Sequence, residues 1–151
     1  MSIKINLEFQ TKIDLEFLTN GINLRLIRLL GNVHLKSHQN WSTEEKVIID
    51  TGNPISIIPF SIWQNVERNI LISSKTKLYG LSSTVEAALS GQLAEVTIVF
   101  KDEKYISTPL KIKATLLDSD NAPFIIGYED ILTRTKLVSD YQNSSAYLEF
   151  D

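Results

Sequence analysis

The chain contains no cysteine. That absence removes disulfide staples, a thiolate nucleophile and cysteine-based zinc sites, and it fits a reducing compartment. No apolar run approaches the length of a membrane span. The opening Met1-Ser2-Ile3-Lys4-Ile5-Asn6 carries no signal-peptide core. The expectation is a cytoplasmic protein with no membrane partner. Neither sign of charge dominates: a net charge of −3 gives no electrostatic reason to expect nucleic acid. There is no low-complexity segment, linker or fixed-period repeat. Histidine occurs twice, at His34 and His38. The two are four apart, but in a strand-or-loop segment without a carboxylate or cysteine at ligand spacing, so no metal or other cofactor is expected.

What remains is a 151-residue chain that is 43% apolar and 22% charged, the composition of one globular domain with a sizeable core. Its dominant rhythm is period two, the signature of strands. Ile3, Ile5, Leu7 and Phe9 alternate with polar residues, and Ile13, Leu15 and Phe17 continue the alternation. Asn20-Gly21 marks a hairpin turn before Ile22, Leu24 and Leu26, and Gly31-Asn32 marks a further turn before Val33 and Leu35. Ala94 to Phe100 and Leu110 to Leu116 alternate cleanly. Short helices are expected at Pro59 to Val66 and Tyr128 to Thr133, and closing strands at Lys136 to Val138 and Ala146 to Phe150. Many short strands with one or two short helices predict a small all-β barrel or sandwich.

One segment carries chemistry. Val47-Ile48-Ile49 delivers Asp50 into the turn Thr51-Gly52-Asn53, and a second apolar run, Ile55-Ser56-Ile57-Ile58-Pro59, follows. A carboxylate at the mouth of an apolar strand is costly to place without a use. The Thr51 hydroxyl can fix its orientation, and Gly52 lets the chain turn tightly and leaves room for close approach. Hydrolysis of a peptide by carboxylates needs two of them sharing a proton. One activates water as a base while the protonated partner bonds the carbonyl oxygen. Asp50-Thr51-Gly52 occurs once, so the second carboxylate must come from a second copy, related by a two-fold axis. In such a pair Thr51 would hydrogen-bond across the axis, and Asn53 could reach the outer oxygen of Asp50.

These residues resemble the retropepsin-like aspartic peptidases, the family of retroviral proteases and their cellular and bacterial relatives. The match rests on three features: the Asp50-Thr51-Gly52 segment with its flanking strands, Phe124-Ile125-Ile126-Gly127 followed by a short helix, and the strand-turn-strand around Tyr79-Gly80-Leu81-Ser82-Ser83. The resemblance covers about residues 45 to 150; residues 1 to 44 form an N-terminal β extension of uncertain role. It implies an all-β closed barrel and a homodimer with Asp50 of each subunit as the catalytic dyad. It further implies that Ile125, Ile126 and Gly127 support the catalytic loop, and that Tyr79, Gly80, Leu81 and Ser82 form a flap over a polypeptide bound as an added strand. Two departures stand out: Tyr128 follows the second glycine where the family often has Arg, and the flap is poor in glycine.

Other readings compete. The same fold could serve as a catalytically silent dimerisation or peptide-binding module. Residues 1 to 44 could cover the cleft until cut away near residues 36 to 46. Glu129-Asp130 reads as a solvated helix start, Asp118 and Asp120 as solvated loop residues, and Trp41 and Trp63 as packing or interface residues.

Overall fold

The structure, a computed structural model, describes residues 1–78 and 88–151. It is mostly β. Strand β1 (Ile3–Ile13) leads through a short helix α1 (Leu15–Thr19) to β2 (Arg25–Leu35), β3 (Glu45–Ile49) and β4 (Ser56–Ile58). Helix α2 (Phe60–Trp63) precedes β5 (Asn69–Ile70), β6 (Thr76–Leu78), β7 (Leu89–Lys101), β8 (Leu110–Leu117) and β9 (Ile125–Ile126). A helical turn at Tyr128–Leu132 is followed by β10 (Lys136–Asp140) and β11 (Ser145–Phe150).

Pairing runs from β2 through β3, β9, β4, β8 and β7, and β7 pairs again with β2. The first half of β1 leaves this arrangement to pair with β11, which pairs with β10; its second half pairs with β2. The strands therefore do not make the single uniform barrel expected. β1, β10 and β11 form a separate sheet that branches off along β1.

The period-two pattern sets the core. Val33 and Leu35 of β2, Val96, Ile98 and Phe100 of β7, and Ile112, Ala114 and Leu116 of β8 meet Ile5 of β1 and Leu148 and Phe150 of β11 in one cluster. Each large side chain among them contributes roughly 1.5–3 kcal/mol by leaving water. Residues 1 to 44 supply Ile5, Leu7, Leu29, Val33 and Leu35 to this cluster. Excising them would strip two core strands.

Local corrections follow from hydrogen bonds that periodicity does not encode. The alternation of Ile13, Leu15 and Phe17 predicts a continuing strand, but Asp14 caps helix α1 there, its carboxylate accepting the N–H groups of Glu16 and Phe17. Gly31 marks no turn; β2 runs straight through it. A side chain at Gly31 would crowd Leu7 at 3.2 Å and Val47 at 3.4 Å, so that glycine lets β1 and β3 approach β2 closely.

Candidate active site

Strand β3 is held on both edges. On one side Leu29 pairs with Ile49 and Leu30 with Ile48. On the other β9 runs parallel to it, pairing Ile48 with Ile125 and Ile49 with Ile126. β9 also pairs antiparallel with β4 at Ile57–Ile125. Thus β9 threads between the strands that enter and leave the Asp50 loop. Two backbone bonds continue the ladder up to the carboxylate-bearing residue: Ile48 N–H to Phe124 O at 3.0 Å and Asp50 N–H to Ile126 O at 2.9 Å.

Asp50 is half-buried. Its Oδ1 accepts the N–H of Gly52 at 2.9 Å, and Asn53 N–H returns to the Asp50 carbonyl at 3.3 Å. The carboxylate thus has one oxygen fixed by the turn. Thr51 and Gly52 are exposed beside it. Among the described residues of the single chain, the Asn53 side chain makes no hydrogen bond to Asp50. Asn53 instead gives its backbone carbonyl to Tyr128 N–H at 2.9 Å, and Pro54 O takes Glu129 N–H at 3.0 Å.

The loop and the end of β9 are in direct backbone contact at Gly127. A Cβ there would lie 2.6 Å from Asn53 O and 2.8 Å from Ile55 C. Ile125 and Ile126 are buried. The structure therefore brings Asp50, Thr51, Gly52 and Asn53 together with Ile125, Ile126 and Gly127. Tyr79, Gly80, Leu81 and Ser82 lie outside the described residues.

Among the described residues, two clefts flank the loop. One of about 630 Å³ is lined by Asp50, Thr51, Ile48, Arg28, Leu137 and Tyr141, among others. The other, about 370 Å³, lies against Asn53, Pro54 and Ile55 on one side and Ile72, Leu78 and Leu93 on the other, with no ionisable group among its described lining residues. Among the described residues no group of three or more His, Cys, Asp or Glu could hold a metal ion. His34 bonds the Ser42 carbonyl through Nδ1 at 2.7 Å.

Two supporting residues escaped the sequence reading. Ser56 is fully buried, and its Oγ accepts Gly127 N–H at 3.0 Å. Asp130, read from sequence as solvated, is only 5% exposed and sits at φ 64°, in the left-handed region that Asp tolerates better than most residues. Its carboxylate accepts Lys113 N–H at 2.9 Å and Lys113 Nζ at 3.0 Å, with Arg134 at 3.4 Å. It ties the turn after Gly127 to β8. The only signal in the sequence is an aspartate just before the apolar Ile131-Leu132.

Burial alone would raise the Asp130 pKa. The Lys113 backbone N–H and ammonium, with Arg134, outweigh it and hold the group below the ordinary aspartate range. A depressed folded pKa means stability that is complete above the unfolded value of about 3.9 and is lost as pH falls through the folded value. Asp102 behaves alike: burial raises its pKa, and the N–H groups of Asn6, Lys104 and Tyr105 more than reverse that. Stability should therefore hold at mildly acidic pH and fall only below about 4. Asp130→Asn should cost about 2 kcal/mol at neutral pH, from weakened bonds to Lys113, and should flatten the acid-side fall. Urea denaturation across pH checks both; an unchanged acid slope would remove Asp130 from this role.

No model of a known protein family matches the chain, and no curated protein matches it.

Proposed function

We propose that the chain is one half of a retropepsin-like aspartic endopeptidase, a homodimer in which Asp50 of each subunit completes a dyad. The observation that carries this reading is the threading of β9 between β3 and β4, with Gly127 packed on the loop that presents Asp50. A single carboxylate fixed by one backbone N–H is half of an acid–base pair. Two brought face to face cannot both ionise cheaply, so they share a proton and titrate as a unit. The ionised member takes a proton from water, and the attacking oxygen adds to the peptide carbon. The protonated member stabilises the developing oxyanion and later protonates the leaving nitrogen.

An extended polypeptide is the substrate this arrangement takes, and the cleft beside Asn53 to Ile55, whose described lining includes Pro54, Ile55, Ile57, Ile72, Leu78 and Leu93, suits an apolar side chain. The test is incubation of purified protein with an unfolded protein at mildly acidic pH, with and without pepstatin. Pepstatin-sensitive cleavage that disappears in Asp50→Asn is the expected result. A protein that dimerises but cleaves nothing would instead be a silent binding or dimerisation module.

A further inference from the structure

The β2–β3 ladder stops at Leu29–Ile49, level with the start of the Asp50 loop. The β1–β2 ladder does not stop there. It continues through Gln10–Arg28, Thr11–Ile27, Lys12–Leu26 and Ile13–Arg25, and a further bond joins Asp14 N–H to Leu24 O. At about 3.3 Å per residue, the hairpin overhangs the level of Ile49 by roughly 13 Å before α1 begins. The overhang is ordered: Asp14 caps α1, and Thr19 and Asn20 side chains bond the Glu16 carbonyl. Yet α1 buries none of its residues.

Alongside exposed polar residues such as Lys12, Glu16 and Arg25, the arm exposes large apolar side chains. Leu15 is 72% exposed, Ile22 52% and Ile13 50%, with Phe17, Leu18 and Leu24 each above 40%. These six side chains together present on the order of 500 Å² of apolar surface, an amount that on a monomer is often functional. Each partner of a standard interface gives up roughly 800 Å². The base of the arm adjoins the candidate site: Ile27 and Arg28 line both the cleft beside Asp50 and a groove that they share with Gln10, Lys12 and Leu26.

We propose that this arm is a dimer-forming element that packs on a second copy of the chain. The proposal rests on the dyad reading. If a two-fold axis passes beside Asp50, an arm extending past the Asp50 loop reaches the partner's side, and the partner's arm returns the contact. The arm would then hold two loops together in a chain where Tyr128 stands after Gly127.

The test is sedimentation equilibrium of the full chain and of a Leu15→Glu/Phe17→Glu/Ile22→Glu variant, with cleavage assayed on the same samples. The three sites are exposed, so the variant should keep the wild-type circular dichroism spectrum and melting. The expected result is a dimeric wild type, a dimer dissociation constant raised at least about 100-fold in the variant, and specific activity that recovers as the variant is concentrated. A variant as dimeric as wild type would overturn the arm proposal and leave the dimeric peptidase intact. Weakened dimerisation with no cleavage by either protein would support the arm and sink the peptidase reading. A monomeric wild type at every concentration would overturn both. A monomeric wild type that sediments with phosphatidylcholine–phosphatidylserine vesicles, where the variant does not, would overturn the proposal and assign the arm to lipid.

Discussion

Asp50→Asn is expected to lower peptide cleavage by at least about 10⁴-fold while leaving the fold and the dimer in place. The expectation separates chemistry from architecture because Asp50 contributes little to the fold. Among the described residues its carboxylate makes one backbone bond, from Gly52 N–H to Oδ1, and an asparagine carbonyl can accept the same bond. The change in stability should stay within about 1 kcal/mol. What the amide cannot do is take a proton from water or share one with a facing carboxylate. Mixing adds a sharper measurement. If both subunits must supply Asp50, equal amounts of wild type and variant, allowed to exchange, should retain activity from only about one quarter of the dimers. Activity of about one half would mean that each subunit works alone, and full activity in the purified variant would remove Asp50 from the mechanism.

Much of this site is legible in the sequence because its parts are short and local. Val47-Ile48-Ile49 reads as a covered strand and forms one; Ile125-Ile126-Gly127 reads as a second and lies beside it. The main strands follow from period two for the same reason, since alternation is a local consequence of burying one face. The misreadings share a different cause. Leu15 and Phe17 fit a strand by spacing, and only the reach of the Asp14 carboxylate to two N–H groups converts the segment to a helix. Gly31 has the composition of a turn but answers to Leu7 and Val47, far away in sequence. Ser56 and Asp130 act through partners 71 and 17 residues distant, which no local pattern announces. The apolar arm also read as ordinary strand, because periodicity reports which residues share a face and not whether anything covers it.

Gly127 packs directly on the backbone of the loop that carries Asp50, and its replacement should have the largest effect on stability. Its backbone sits at φ −84° and ψ −178°, a conformation open to alanine, so any penalty must be steric. The sterics are severe because the obstacles are main-chain atoms: Asn53 O at 2.6 Å, Ile55 C at 2.8 Å and Ile55 N at 3.0 Å from an added Cβ. No side chain can rotate away. Either β9 withdraws and strains the bonds to Ser56, Asn53 and Pro54, or the loop shifts and carries Asp50 with it. Gly127→Ala should therefore cost about 3 kcal/mol or more in urea denaturation, a large share of a typical total of about 5–15 kcal/mol. Gly52→Ala is the control. Among the described residues its Cβ would meet only Asp50 Oδ1, at the ordinary distance of 3.4 Å, and its cost should stay within about 1 kcal/mol. Equal costs for the two variants would mean that β9 does not buttress the loop. In the fraction of Gly127→Ala that remains folded, a loop displaced by about 1 Å should still lower cleavage by about 100-fold, because two carboxylates that must share a proton tolerate little misplacement.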